Sequence, residues 1–274
     1  MKTKSTVKTG VVLFIVLILL IMSLFPFVYM MIQSIMPWDS VDKILATTKP
    51  TLRSYQYLFN IGGSANGLMW VKALLNSVIV SLPTAIISVI LGLFTGYSAT
   101  KLKFSGKKLI YNSLLFQMFF PTIILLIPRY IMMKPFANTY VGMIMPLCVS
   151  TWAIFMYINY FSTLPNEVFE AARIDGLGDF RMITKIAFPL TKSVTTIVFL
   201  SVFMTRWNEL MWDMLISPKI QMQTLNVLIS TQFKPMGNLP GPMYAASVLL
   251  TLPIVILFLC FSKYFKEGIN FMLK

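Results

Sequence analysis

Apolar residues gather into six long runs along the chain, separated by segments that hold most of its charges. The runs cover residues 11–32, 74–97, 109–132, 141–161, 193–211 and 245–261. A helix needs about 20 mostly apolar residues to cross the hydrocarbon core of a bilayer. The pattern therefore predicts an all-α membrane protein with six transmembrane helices.

Polar and helix-breaking residues interrupt some of these runs. Prolines occur in the second, third and sixth runs, at Pro83, Pro121, Pro128 and Pro253. Neighbouring helices can satisfy the freed carbonyls in a membrane bundle, so bends are expected rather than breaks. Arg206 and Glu209 lie three positions apart at the outer end of the fifth run. This spacing predicts a local ion pair on one helix face.

Composition supports the membrane interpretation and removes several classes of protein. Of the 274 residues, 57% are hydrophobic and only 12% are charged, whereas an ordinary soluble domain has about 25% charged residues. The chain has no histidine, and its two cysteines lie in apolar runs. No disulfide framework or Ser–His–Asp set is therefore expected, and the chain is predicted to be non-catalytic.

The net charge of +14 is an orientation signal rather than a nucleic-acid signature. The short segment after the second run contains Lys101, Lys103, Lys107 and Lys108 and no acid. Such loops stay on the cytoplasmic side, which places both termini in the cytoplasm. Residues 1–10 form a cytoplasmic N-terminus and 11–274 a single transmembrane domain. Membrane lipid is an expected partner, and nucleic acid is not.

The loop at residues 162–192 is predicted to form a helix, a turn and a second helix on the cytoplasmic side. Pro165 and Asn166 favour a helix start, and Gly176 is a natural stop. Asp179 can cap a second helix, which Pro189 ends before the fifth run. Two interpretations remain open: a unit that docks into a groove on another protein, and an amphipathic pair lying on the lipid surface.

The spacing within this loop resembles the EAA loop of ABC importer permeases. Glu170-Ala-Ala is followed after three residues by Gly176, and after nine more by Ile186. Phe188 and Pro189 complete the pattern, with Phe188 standing where leucine is usual. The coupling residues that the resemblance implies are Glu170, Ala171, Ala172, Asp175, Gly176, Ile186 and Pro189.

The resemblance covers nearly the whole chain and is strongest to the shorter permease subunit of maltose-type carbohydrate importers. It is carried by Asn76-Ser77, Leu115-Phe-Gln-Met118 with Pro121, Trp207-Asn-Glu209, Thr224-Leu225, Ala245-Ala246, Leu252-Pro253 and Tyr264-Phe265. The last residues, 268–274, depart from the Gly-rich tail common in that subunit.

This resemblance implies a type I ABC importer permease fold and a set of partners. The partners are a second, homologous permease subunit, two ABC ATPase subunits and an extracellular solute-binding protein. ATP and Mg would be used by the ATPases, with no cofactor bound by this chain. The nearest sequence to a phosphate loop, at residues 105–108, lacks the Ser or Thr that must follow the lysine. Transport would proceed by alternating access.

Polar residues in and after the runs are candidates for solute contact. Those predicted to line a translocation path are Gln117, Asn159, Thr205 and Asn208. Hydroxyl side chains such as Thr205 more often bond to helix carbonyls. The loop between the fifth and sixth runs is predicted to meet the binding protein through Thr224, Leu225 and Gln232. Gly92 and Gly96 indicate close helix packing.

The carried solute is open to more than one interpretation. A saccharide is favoured by the Leu-Phe-Gln-Met and Trp-Asn-Glu segments. Alternatives are an ABC importer for glycerol phosphate, an amino acid or a peptide, and a secondary transporter. The last is disfavoured because the runs lack the buried carboxylates of an ion-coupled mechanism.

Overall fold

The computed structural model describes residues 2–43, 49–59, 67–233 and 240–272, and these residues contain helices and no strand. The α-helices in chain order are α1 Lys2–Ser34, α2 Arg53–Phe59, α3 Gly67–Lys101, α4 Lys107–Met118, α5 Leu126–Met133, α6 Tyr140–Ile144, α7 Thr151–Thr163, α8 Asn166–Ile174, α9 Asp179–Met182, α10 Phe188–Leu190, α11 Lys192–Trp207, α12 Met211–Ile216, α13 Leu225–Gln232 and α14 Pro240–Met272. Short 3₁₀ turns adjoin α5, α6 and α13, and a π-helical turn, Ile183–Ala187, joins α9 to α10.

Four helical segments are long and apolar enough to cross a membrane, namely Gly10–Ser34, Leu68–Lys101, Tyr140–Thr163 and Pro240–Ser262. Two further pairs pass the same test but are bent, by 97° between Lys107–Met118 and Thr122–Phe136, and by 85° between Asp179–Leu190 and Lys192–Trp207. The described residues therefore hold four to six candidate spans. The prediction of six is met only if each bent pair crosses once.

The predicted third span, 109–132, forms a broken helix rather than the bent one expected from its prolines. The helix ends at Met118 and the chain turns through Phe119 and Phe120 before Pro121, which is extended at φ −60° and ψ 122°. Pro121 has no N–H to donate to the preceding turn. Pro83 and Pro253, in contrast, lie inside continuous helices, as membrane bundles permit.

One compact unit consists of the residues up to Val71 together with Ile229–Leu252. Within it, the Asp42 carboxylate accepts hydrogen bonds from the hydroxyls of Tyr29 at 3.3 Å and Tyr244 at 2.7 Å. The Gly10–Ser34 stretch of α1 buries no residue of its most apolar window. Such an uncovered apolar helix is suited to contact with lipid or a partner helix.

The second unit, Lys72–Leu228 and Pro253 onward, is organised around α3 and α7. Gly92 and Gly96 on α3 face Tyr157 of α7, whose side chain is fully buried. A Cβ atom at Gly96 would lie 2.5 Å from the Tyr157 Cβ and 3.1 Å from its carbonyl carbon. The close helix packing expected from this glycine pair is confirmed.

Gly96→Ala is therefore expected to destabilise the protein. A methyl group has no space beside the α7 backbone, and overpacking of this kind typically costs about 1–3 kcal/mol. Gly10→Ala is the matched control, because Gly10 also lies inside a long helix and a Cβ there meets nothing within 4 Å. The thermal midpoint of the purified permease complex should fall for Gly96→Ala alone. Equal midpoints for the two variants would contradict this packing.

Candidate functional site

The predicted coupling loop begins with α8, whose ends follow from its sequence. Pro165 precedes the helix in an extended conformation, Glu167 lies in the first turn and Arg173 in the last, which suits the helix dipole. Gly176 adopts φ +80° after the helix. Its N–H donates to the Arg173 carbonyl and that of Leu177 donates to the Ala172 carbonyl, both at 3.0 Å. These bonds form a Schellman motif, so the predicted stop is confirmed.

The inner face of α8 is fixed to the end of α3. Phe169 is buried, with its ring centroid 6.0 Å from that of Tyr97. The Lys101 ammonium lies 4.9 Å from the centre of the same ring. It also donates at 2.8 Å to the Leu164 carbonyl and at 2.8 Å to the Asn166 Oδ1. These contacts make α8 a fixed projection of α3 rather than a loosely attached loop.

Asp179 links the second helix of the loop to the first. Its Oδ1 accepts from the Tyr97 hydroxyl and from the Arg173 Nη2, both at 3.2 Å. The bond to Asp179 raises the pKa of the Arg173 guanidinium above its usual value. Both charged side chains are about half exposed, so the pair contributes only about 0–1 kcal/mol. Gly178, not Asp179, is the N-cap, so this helix begins one position earlier than predicted, at Asp179.

The outer face of α8 is apolar with acidic residues beside it. Val168 is 41% and Ile174 is 87% exposed, and Ala171 lies exposed between them, next to the exposed Glu170. Ala172 is only 6% exposed and packs inside this chain. Of the two alanines of the EAA pattern, only Ala171 is therefore exposed in this chain.

The remaining coupling residues are spread over the loop. Asp175 is the exposed C-cap of α8, Ile186 is half-buried in the π-helical turn, and Pro189 is exposed in α10. The predicted stop at Pro189 is displaced slightly, because the helical path continues to Leu190 before its 85° bend.

A cleft of about 780 Å³ opens beside the break in the third span. Gln117 and Thr205, two of the predicted path residues, both line it. The Thr205 hydroxyl donates to the Ser201 carbonyl at 2.9 Å, which is the usual role of a helical hydroxyl. Gln117 is exposed and therefore has its amide available at the mouth of this cleft.

The other two path candidates lie elsewhere. Asn159 lines a separate cleft of about 570 Å³ together with lysines of the α3–α4 turn. Asn208 is exposed after α11, where its amide donates to the Met204 carbonyl and its own carbonyl accepts from Asn226. The predicted set is therefore divided, and only Gln117 and Thr205 share a cavity.

A buried ion pair that the sequence reading missed lies behind this cleft. Arg206 donates from Nη1 and Nη2 to the two carboxylate oxygens of Asp213, at 2.9 and 2.7 Å. The same Nη2 donates to the Met143 carbonyl at 3.2 Å, and the Thr224 hydroxyl donates to Asp213. The predicted Arg206–Glu209 pair is wrong, because the helix ends at Trp207 and Glu209 instead accepts from the Trp212 N–H.

Two of the predicted binding-protein contacts are interior residues. Thr224 and Leu225 are 3% and 0% exposed. The Leu225 N–H donates to the Ser77 hydroxyl at 2.8 Å. The Asn76 amide donates to the carbonyls of Gln221 and Gln223, at 3.1 and 3.0 Å. Asn76 and Ser77 thus hold the loop to α3, while Gln232 is half-buried. Among the residues of this loop that the structure describes, 218–221 form an exposed stretch.

Comparison with known proteins identifies the family to which this chain is similar. Residues 88–270 match the family described as binding-protein-dependent transport system inner membrane component. The inner membrane ABC transporter permease protein YcjP of Escherichia coli K12 is 30% identical over 258 residues, covering 92% of this chain and 91% of that protein.

Relatives named for sugars align over similar lengths. The arabinooligosaccharides transport system permease protein AraQ of Bacillus subtilis is 26% identical over 97% of this chain and 95% of that protein. The trehalose/maltose transport system permease protein MalG of Thermococcus litoralis is 30% identical over 93% and 92%.

The fold has a solved counterpart. A chain in the crystal structure of a bacterial ABC transporter involved in the import of the acidic polysaccharide alginate has a TM-score of 0.81 at 20% identity, covering 95% of this chain and 98% of that chain. The chain is thus a multi-pass membrane protein that belongs to the family of inner membrane components of binding-protein-dependent transport systems.

Proposed function

We propose that this chain is one of two permease subunits of an ATP-driven importer, which moves a saccharide or oligosaccharide from an extracellular binding protein into the cytoplasm. The observation that carries the proposal is α8, which is anchored to α3 and exposes an apolar face. It lies within the residues that match the family. Relatives named for arabinooligosaccharides and for trehalose and maltose support the sugar assignment.

In this proposal α8 is where the chain meets an ATPase subunit. Val168, Ala171 and Ile174 present an apolar strip that a groove on the ATPase would cover, and Glu170 would pair with a cation at its rim. Residues 162–192 then lie in the cytoplasm, as do both termini, and six spans cross the membrane. The ATPases, not this chain, would hold ATP and Mg and perform catalysis. Nucleotide would shift the permease between states through differential binding.

The cleft beside the third span suits a neutral, hydroxyl-rich solute. Three charged residues line it, Arg129, Arg206 and Glu209, and Asp213 behind the lining neutralises Arg206, so the positive and negative charges are equal in number. The amide of Gln117 and the indole of Trp152 add hydrogen-bonding and stacking surfaces. A volume of about 780 Å³ is within the range of small-molecule sites.

A second candidate solute is glycerol phosphate. The sn-glycerol-3-phosphate transport system permease protein UgpE of Yersinia pestis is 26% identical over 79% of this chain. A phosphate dianion would favour a cleft with an excess of positive charge. The balanced lining described above favours the sugar.

Uptake into vesicles tests the proposal. The complete complex is reconstituted with its binding protein, and ATP-driven accumulation of arabinooligosaccharides, maltose, trehalose, alginate oligosaccharides and glycerol phosphate is compared. We expect a saccharide to accumulate with ATP, and accumulation to persist when ion gradients are collapsed. Uptake that needs an ion gradient but not ATP would refute the importer, and exclusive uptake of glycerol phosphate would refute the sugar.

Replacing Gln117 tests the cleft as the solute path. Gln117→Leu removes an amide that lines the cavity, and one lost hydrogen bond of about 1 kcal/mol corresponds to roughly a fivefold slower uptake. Asn112→Leu is the matched control, since Asn112 is an exposed amide on the same helix outside the lining. Initial uptake rates are measured at a fixed solute concentration. Equal rates in the two variants would place the path elsewhere.

A further inference from the structure

The cleft of about 570 Å³ beside the α3–α4 turn is strongly basic. Lys101, Lys107 and Lys108 line it, and none of the residues lining it is acidic. Tyr111 and Asn159 add polar side chains to the same wall. Three ammonium groups around one cavity repel one another, and an anion bound among them would remove that repulsion.

The lysines retain unused hydrogen-bond donors. Lys101 donates to two acceptors and Lys107 to the Thr100 carbonyl at 3.0 Å, whereas an ammonium has three donors. Lys108 makes no hydrogen bond or ion pair with the described residues. The start of α4 adds further donors, because Gly106 provides no side-chain cap and the first turn contains no acid. The cleft therefore offers several donors to a group rich in oxygen acceptors.

We propose that this cleft binds the phosphate of an anionic phospholipid. Phosphate is the shared chemistry of a lipid headgroup and a free phosphate, and the surroundings select the lipid. Leu109 and Phe116 are seven positions apart on one face of α4 and are 72% and 64% exposed. This apolar strip starts next to Lys108 and can carry the acyl chains. Basic pockets between membrane helices are known binding places for such headgroups.

The occupied site would lie directly beside the coupling helix. Asn166 begins α8, lines the cleft and accepts a hydrogen bond from Lys101. Lipid binding at this site does not depend on which solute is carried, so it can be tested independently of the proposed function.

Lipid retention by the purified permease complex tests this site. The complex is incubated with phosphatidylglycerol or phosphatidylcholine in detergent, and bound lipid is counted by native mass spectrometry. In Lys107→Gln/Lys108→Gln we expect about a 25-fold loss of phosphatidylglycerol retention, because each of the two lysines near an anionic headgroup contributes about fivefold. Phosphatidylcholine retention should not change. The matched control is Lys103→Gln/Lys219→Gln, which removes two exposed lysines outside the lining.

Three results would overturn the proposal. One is equal phosphatidylglycerol loss in both double variants, which would indicate a general charge effect. Another is unchanged retention in the Lys107/Lys108 variant with an unchanged thermal midpoint. The third is retention of inorganic phosphate, lost in the Lys107/Lys108 variant, by a complex that retains phosphatidylglycerol and phosphatidylcholine equally, which would assign the cleft to free phosphate.

Discussion

Asp213→Asn is expected to lower the stability of the protein by about 3–5 kcal/mol, the usual cost of removing one partner from a buried ion pair. The side chains of Arg206 and Asp213 are only 2% and 1% exposed, so water cannot replace the lost carboxylate. An asparagine would keep one acceptor but would turn an N–H₂ group toward the guanidinium. The Arg206 charge would then stay buried without a counterion.

The structural role of this pair adds to the expected loss. Asp213 connects α12 to the end of α11 through Arg206 and to the loop before α13 through Thr224. Arg206 also holds the Met143 carbonyl of α6. Four segments therefore depend on one carboxylate, and the cleft that holds Gln117 is built partly from them.

Thermal unfolding of the purified complex measures this effect. Glu209→Gln is the matched control, since it removes a nearby carboxylate that, among the residues the structure describes, accepts only the backbone N–H of Trp212. Its midpoint should stay close to that of the natural protein. The double variant Arg206→Met/Asp213→Leu removes both charges and should recover more than half of the loss. An Asp213→Asn variant as stable as Glu209→Gln would contradict the ion pair.

Local features were predictable because their causes lie within a few residues. The start and stop of α8 follow from Pro165, Asn166 and Gly176, whose backbone preferences act within one turn. The pair Gly92 and Gly96 likewise predicts close helix packing, since small residues one turn apart leave a groove on a membrane helix. The spacing of residues in the coupling loop, which resembles the EAA pattern, also indicated the family.

Features that depend on tertiary contact were not predictable from spacing. The spacing of three positions predicts that Arg206 pairs with Glu209, but the helix ends before Asn208. Its partner Asp213 comes back to it only through the turn that leads into α12. An acid among the apolar residues of that segment was the one available signal.

Other differences from the sequence-based expectations concern residues that were expected to be exposed and are buried. The polar loop around Thr224 and Leu225 predicts a partner contact, yet Asn76 and Ser77 bind that loop to α3. Ala171 and Ala172 are adjacent in sequence but lie 100° apart around a helix, which places one outside and one inside.

Ile174→Asp is expected to reduce solute-stimulated ATP hydrolysis and uptake at least tenfold, the largest functional effect of any change described. Ile174 is 87% exposed in this chain, so the substitution should leave the thermal midpoint unchanged. In the complex the proposed ATPase groove would bury this position, and an unpaired buried carboxylate costs far more than the 1.4 kcal/mol that a tenfold change requires. Ile174→Leu keeps an apolar side chain of equal size and should retain stimulation. The rate of hydrolysis by the isolated ATPase is the common baseline for both variant complexes. ATP hydrolysis is measured in reconstituted vesicles with loaded binding protein. Full stimulation of a normally folded Ile174→Asp complex would show that α8 lies on lipid or solvent rather than on the ATPase.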